Sequence, residues 1–165
     1  MTSTERADLL QTLDKHRGFL RQTVHGITEE QARQRTTVSE LTLGGLIKHV
    51  SATEASWARF IEGGAKAMEG DGPDPDAWAS AFQLLPHETL AGVLADYDAV
   101  ATYTDQLAAT RDLDAGHPLP EAPWFEAGAS WTARRVLLHI VAETAQHAGH
   151  ADIIRESLDG AKTMG

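Results

Sequence analysis

A short segment near the end of the chain carries three side chains that can bind a metal ion. In ETAQHAGHADIIRE, residues 143–156, Glu143, His147 and His150 are separated by four and then three positions. Residues at these spacings share one side of an α-helix, and residues four apart are offset by about 6 Å along it. A carboxylate and an imidazole at that offset can reach one divalent cation. The segment predicts either part of a metal site or a solvated helix face that carries histidines.

The position of these side chains around the helix separates the two interpretations. With His139 at 0° and about 100° per residue, Glu143 falls at about 40°, His147 at about 80° and His150 at about 20°. The apolar side of the same helix is centred at about 120°. The polar strip therefore borders the buried side, where a carboxylate without a partner is costly. A metal ion is one partner that removes this cost.

Any site on this helix needs a ligand from elsewhere in the chain. Residues eight apart rise about 12 Å, so His139 and His147 are too distant to share one ion. His49 is the natural third ligand, because it lies in GGLIKHV at the edge of another apolar helix face. The alternative for His49 is a hydrogen-bonded core histidine. The candidate pairs that it can complete are His139/Glu143, Glu143/His147 and His147/His150.

The composition restricts the class of protein. The 165 residues fit one domain, 1–165, and they include no cysteine, so disulfides, thiolate metal ligands and a cysteine nucleophile are excluded. The formal net charge of −10 opposes binding to nucleic acid and to anionic membranes. The charged N-terminus MTSTERADLL does not resemble a signal peptide, and no apolar stretch approaches the length of a membrane span. We therefore expect a cytoplasmic protein without nucleic-acid or membrane partners.

Four segments have the apolar periodicity of long helices. They run from Ser3 to His25, from Thr42 to Gly63, from Pro86 to about Arg111, and from Ser130 or Thr132 to Gly160. A short helix is also expected at 28–33, and no strand shows clean alternation. Four amphipathic helices with little else predict an all-α fold, a four-helix bundle.

Two connections are long for such a bundle. Segment 64–86 contains Trp78 and Phe82, and segment 111–131 contains Trp124 and Trp131. Long loops with large aromatic residues often contribute to function, although the same residues can simply anchor a loop to the bundle. A long crossing after the second helix also permits neighbouring helices to run parallel.

The chain resembles the DinB-like superfamily, and most closely its branch of small proteins of the DUF664 and mycothiol-dependent maleylpyruvate isomerase type. The resemblance is carried by TLGGLIKHVSATEASW, which contains His49, and by LLHIVAETAQHAGHADIIRESLDG. It implies a four-helix bundle in an up-down-down-up arrangement with long crossover loops. It also implies a divalent metal held between the helices by three side chains.

The resemblance implies which residues bind the metal. Many DinB-like proteins use three histidines, the last two spaced as HxxxH before a Gly-Gln pair. Here Glu143 replaces the first histidine of that pair, as in the mycothiol-dependent branch, and His150 replaces the glutamine. The implied ligands are His49, Glu143 and His147, with zinc as the first choice of metal and nickel or iron as alternatives. The residues expected to orient these ligands or to contact substrate are His139, His150, Trp57, Trp78, Trp124 and Trp131.

The same resemblance suggests a reaction. The isomerase of this branch has a further C-terminal domain that contributes to its active site, whereas this sequence ends at Gly165, so we expect a metal-dependent transferase instead. It would activate a low-molecular-weight thiol, such as mycothiol or bacillithiol, for transfer to a small electrophile in detoxification. Either Arg134 or Arg135 is a candidate contact for a substrate carboxylate.

Other functions remain compatible with the same residues. Two histidines and one carboxylate also form the ligand set of non-haem Fe(II) enzymes. A metal-bound hydroxide would support a hydrolase. A stress-related protein that binds a metal without turnover is a further alternative, and a homodimer is one assembly that we consider.

Overall fold

Helices provide most of the regular structure in the part of the chain that the structure describes. The computed structural model describes residues 4–68 and 80–163. Its helices are α1 (Thr4–Gln22), α2 (Glu29–Arg33), α3 (Leu43–Gly63), α4 (Ala65–Met68), α5 (Leu90–Thr110) and α6 (Ala133–Asp159). Strands β1 (Gly116–Pro118) and β2 (Ser130–Thr132) pair antiparallel between α5 and α6. The four long helices α1, α3, α5 and α6 confirm the predicted all-α bundle. In these ranges no helix is both long enough and apolar enough to cross a bilayer.

The ends of the long helices lie at residues that favour such ends. The hydroxyl of Thr42 accepts a hydrogen bond from the backbone N–H of Gly45, and Thr132 caps α6 in the same way. Gly160 ends α6 in the left-handed conformation, with φ of 79°. These caps were expected from the sequence. The expected cap Ser3 lies outside the described residues, and α1 ends at Gln22, a few residues earlier than predicted.

The contacts of α6 define the direction of its two neighbours. Contacts between α1 and α6 join start to start and end to end, so these helices run parallel. Contacts between α3 and α6 join the start of one helix to the later part of the other, so these two run antiparallel. The pairs are Glu5–Arg134 and Thr23–Arg155 for α1 and α6, and His49–His147 and Trp57–His139 for α3 and α6.

The contacts of α5 complete the arrangement. The helix is antiparallel to α1 and parallel to α3, as its polar contacts show. The pairs are Arg21–Asp98 and Arg6–Ala108 with α1, and Lys48–Glu88 and Glu62–Tyr103 with α3. The bundle is therefore up-down-down-up, as expected. Parallel neighbours such as α3 and α5 cannot be joined by a short turn, which agrees with the length of the connection 64–86.

The second long connection contains a structure that the sequence pattern did not predict. Strands β1 and β2 pair with Gly116 opposite Thr132, His117 opposite Trp131 and Pro118 opposite Ser130. Each strand has three residues, which is too short for an alternating pattern to be recognised. The pairing brings the chain to the first turn of α6 and fixes the position of Trp131 there.

A buried ion pair lies between two apolar clusters of the core. One cluster includes Leu20 and Val50, and the other includes Leu13 and Trp57. Between these levels, the guanidinium of Arg17 donates hydrogen bonds to both carboxylate oxygens of Glu54 and one bond of 2.8 Å to Asp105. Arg17 and Glu54 are each only 1% exposed, so each needs the other as a partner for its charge.

The carboxylates keep Arg17 charged in this setting. Burial alone would lower the pKa of its guanidinium, but the hydrogen bonds that it donates to Glu54 and Asp105 raise that pKa above its ordinary value. Arg17 therefore joins α1 to α3 through Glu54 and to α5 through Asp105, by charge-assisted hydrogen bonds in the middle of the bundle.

Replacing Glu54 by alanine tests the importance of this pair. Glu54→Ala leaves the Arg17 charge buried with Asp105 as its remaining partner, and we expect the free energy of unfolding to fall by about 3–5 kcal/mol. Urea unfolding followed by circular dichroism measures the change. The control is Asp98→Ala, which removes an ion-pair partner of Arg21 that is 70% exposed and should cost no more than about 1 kcal/mol. Equal losses in both variants would contradict the role of the buried pair.

Candidate metal centre

Three side chains that can bind a metal meet between α3 and α6. His49 comes from α3, and Glu143 and His147 come from α6. One potential ligand atom from each residue lies within 4.8 Å of the other two. The antiparallel packing of the two helices places His49 beside His147, with 4.9 Å between the ring centroids. Of the three pairs considered from spacing, the structure brings Glu143/His147 together with His49.

The separations suit a metal ion after small side-chain movements. In a tetrahedral site with bonds of about 2.1 Å, two ligand atoms are about 3.4 Å apart. Nε2 of His147 and Oε2 of Glu143 are already 3.7 Å apart, and the largest of the three separations is within 4.8 Å. The three residues therefore fit a divalent cation bound by two nitrogen atoms and one oxygen atom.

The two histidines lie in a partly buried environment that favours their neutral form. Burial lowers the pKa of His49 to about 4, with a smaller contribution from the charge of His147. Burial also lowers the pKa of His147, although Glu143 opposes this shift. A neutral imidazole retains the lone pair that a metal ion needs. Both rings are therefore in the metal-binding state near neutral pH without having to lose a proton.

His150 contacts one of the candidate ligands. Its Nδ1 lies 3.4 Å from Nδ1 of His147, so one ring can donate a hydrogen bond to the other. Because Nε2 of His147 faces Glu143, this contact engages the nitrogen on the opposite side of the ring. Hydrogen bonds of this kind fix the orientation of metal-binding histidines in many proteins.

His139 lies on the other side of Glu143, within a group of aromatic rings. Its Nε2 is 3.8 Å from Oε1 of Glu143. Its ring meets Trp57 and Trp131 edge-on, at centroid distances of 4.9 and 5.1 Å, and these two indoles stack on each other at 4.9 Å. We call His139, Trp57 and Trp131 the aromatic cluster. It connects the candidate ligands to the connection between α5 and α6.

Trp124, Arg134 and Arg135 make their contacts away from the three ligands. Trp124 is 76% exposed and packs against Phe125. Arg134 is engaged by Glu5 and Asp114, which leaves it poorly placed to meet a substrate carboxylate. The guanidinium of Arg135 lies over the ring of Trp131, 4.5 Å from its centroid. Trp78 lies outside the described residues.

Phe82 is a residue at this site that the metal-ligand pattern did not identify. Its ring stacks on the imidazole of His49, with a centroid distance of 3.9 Å and an interplanar angle of 26°. It is also 6.2 Å from the ring of His147. The only sign in the sequence was a large aromatic residue in a long connection, which does not indicate which side chain it covers.

Comparisons with known proteins agree with this fold. A family model described as mycothiol-S-transferase, MST, matches residues 8–160. Among solved structures, the chain is similar to one titled "Crystal structure of the conserved protein of locus from Enterococcus faecalis". The TM-score is 0.68 at 15% identity, with 98% of this chain and 99% of that chain covered, and a likeness at this identity shows the fold alone. No curated protein gives a significant match.

Metal analysis provides a direct check on the candidate ligands. We expect the purified protein to carry about one divalent ion per chain, because three ligands from two helices complete one site. His147→Ala should lower the affinity of the protein for that ion by at least about 10–100-fold, because losing even a residue that hydrogen-bonds to a ligand typically costs that much. Inductively coupled plasma mass spectrometry after dialysis gives the stoichiometry. His25→Ala, at an exposed position, is the control, and metal retained equally by both variants would count against the site.

Proposed function

The chain belongs to the mycothiol S-transferase family, a family of the DinB-like superfamily, and we propose that it transfers a low-molecular-weight thiol to a small electrophile at the His49, Glu143 and His147 site. The family membership confirms the resemblance found in the sequence and supports a thiol as one substrate. The observation that carries the proposal is the convergence of three metal-binding side chains from two helices within a member of this family.

The ligand set suits catalysis better than a purely structural role. Two imidazoles and one carboxylate provide three ligands and leave room for a further one, whereas structural zinc sites are usually closed by four protein ligands. We propose zinc, with nickel or iron as alternatives. A divalent cation held there would favour the thiolate form of a bound thiol, which is the nucleophilic form.

The side chains around the site orient the ligands and limit access of water. Glu143 and His147 hold their positions on one face of α6, and His150 orients His147 from its far side. Partial burial limits access of water: 12% of the His147 side chain and 31% of that of Glu143 are exposed. In the reaction, the sulfur forms a bond to an electrophilic carbon while the bond from that carbon to its leaving group breaks. The leaving group takes the electron pair, and the thiol proton passes to solvent.

The aromatic cluster is the surface that we propose for the electrophile. It adjoins Glu143 through His139, and Trp131 is partly exposed there. Indole rings favour flat or apolar molecules through stacking and apolar contact. Arg135 lies over Trp131, so an anionic group on the electrophile would find a cation nearby. Contact of Trp124 and Trp78 with substrate stays a prediction from the sequence.

A thiol-transfer assay tests this function. Metal-loaded protein is incubated with mycothiol, bacillithiol or glutathione and with chlorodinitrobenzene, whose chloride is the leaving group. We expect formation of the S-aryl product from mycothiol or bacillithiol, and loss of at least about 10–100-fold of that rate in Glu143→Gln, since the charge of a ligand is removed. The same His25→Ala control should match the wild type.

Other results of this assay would favour the other functions. A protein that binds a metal but consumes none of the thiols with any of zinc, nickel or iron would support a non-catalytic role. Oxygen consumption that depends on Fe(II) would support non-haem iron chemistry instead. Either result would contradict thiol transfer, and the assay therefore distinguishes thiol transfer from metal binding without turnover and from non-haem iron chemistry.

A further inference from the structure

Ring stacking on Phe82 is the contact that restrains the imidazole of His49 among the described residues. In a metal-binding histidine, the N–H of the second ring nitrogen usually donates a hydrogen bond to a carboxylate, a carbonyl or water, and this bond fixes the plane of the ring. His147 has such a neighbour in His150, at 3.4 Å. For His49, no hydrogen bond is found among residues 4–68 and 80–163. Instead, the imidazole of His49 stacks face-on against the ring of Phe82, with 3.9 Å between the two centroids.

The stacked geometry restricts rotation of the imidazole. At an interplanar angle of 26°, the two rings lie nearly parallel and in van der Waals contact. Rotation of the His49 ring about its Cβ–Cγ bond would drive its edge into Phe82 or sacrifice the stacking energy, which is on the order of 1 kcal/mol. The ring is therefore held in one plane by contact with Phe82, and its centroid lies 4.9 Å from that of the His147 ring, at an interplanar angle of 78°.

Two glycines at the start of α3 let the segment that carries Phe82 lie directly on the helix. A β-carbon on Gly45 would overlap the carbonyl group of Phe82, and one on Gly44 would overlap the side chain of Leu84. Only glycine at position 45 allows the backbone of Phe82 to approach the helix this closely. The GG pair of GGLIKHV thus has a physical reason that the helix alone does not require, since glycine weakens a helix.

Polar contacts hold the same segment in place. The hydroxyl of Thr42 is 3.4 Å from the carbonyl oxygen of Phe82, and Nζ of Lys48 is 3.3 Å from that of Gln83. Arg33 donates a bond of 2.7 Å to the carbonyl oxygen of Leu84. Three side chains therefore fix the backbone at Phe82 and at the two residues that follow it. These contacts support the segment from the bundle.

We propose that Phe82 is a positioning residue of the metal centre, which sets the plane of the His49 ring for metal binding and depends on Gly45 for its own position. The inference rests on the proposed metal site. Phe82 is not a ligand and does not take part in the reaction. Its contribution is to keep one ligand oriented, so that less side-chain freedom is lost when the ion binds.

The test compares four variants with the wild type, using Co²⁺ alone as the probe. Phe82→Leu keeps an apolar side chain but removes the ring face, and Phe82→Tyr keeps the ring. Gly45→Ala keeps Phe82 but forces the backbone of Phe82 away from the helix. Gly18→Ala is the control for an added methyl group, because a β-carbon there meets no atom within 4 Å. The measurements are Co²⁺ affinity by competition with a chelating dye and the visible spectrum of the bound ion. Unfolding by urea checks that each variant is folded.

The expected pattern separates orientation from simple stability. Phe82→Leu and Gly45→Ala should each bind Co²⁺ about 10-fold more weakly and change its visible spectrum, while Phe82→Tyr and Gly18→Ala should retain the wild-type affinity and spectrum. In the metal-free protein, ring-proton NMR signals of His49, identified with His49→Gln, should lie upfield because of the Phe82 ring and should lose that shift in Phe82→Leu.

Two negative results have different meanings. A wild-type protein that does not bind Co²⁺ would overturn the proposed metal site and this inference with it. A wild-type protein that binds Co²⁺ while Phe82→Leu binds equally well and with the same spectrum would overturn the positioning role alone. An NMR shift of His49 that is unchanged in Phe82→Leu would also overturn it, whatever the metal affinity.

Discussion

The antiparallel packing of α3 against α6 is the constraint on which the candidate site depends. Because the two helices run in opposite directions, a step toward the C-terminus on one corresponds to a step toward the N-terminus on the other. His49 therefore meets His147, and Trp57 meets His139, with Glu143 between the two levels. A shift of one helical turn, about 5.4 Å, would separate the imidazoles that have to share an ion. The site is thus a property of the register between two helices rather than of either helix alone.

That register is supported by groups on both sides of the site. At nearly the same level of the bundle, the buried pair of Arg17 and Glu54 joins α3 to α1 and places two charges between the apolar clusters. Such a pair has few alternatives, because shifting α3 would bury one charge without its partner. On the outer side, the segment that carries Phe82 lies on the two glycines of α3. The buried ion pair and the segment that carries Phe82 therefore both contact α3, the helix that carries His49.

Much of this arrangement could be predicted from periodicity, capping residues and residue type. The sequence placed Glu143 and His147 beside the apolar side of their helix, and in the structure both lie close to His49. Helical spacing does not report contacts made by loops, so the stacking of Phe82 and the strands around Trp131 could not be predicted. Nor does it reveal that Arg134 is already paired with Glu5 and Asp114, since those partners are distant in sequence or lie in an irregular segment. What the sequence leaves open is mainly how connections are placed on a predictable set of helices.

Anomalous X-ray diffraction from crystals grown with Zn²⁺ tests the central claim most directly. Data collected on either side of the zinc absorption edge locate the ion independently of any assumption about its ligands. Our account predicts one strong peak between α3 and α6, at about 2.0–2.2 Å from one atom each of His49, Glu143 and His147. A peak bound by other residues, or no peak with the imidazoles of His49 and His147 separated by solvent, would contradict it.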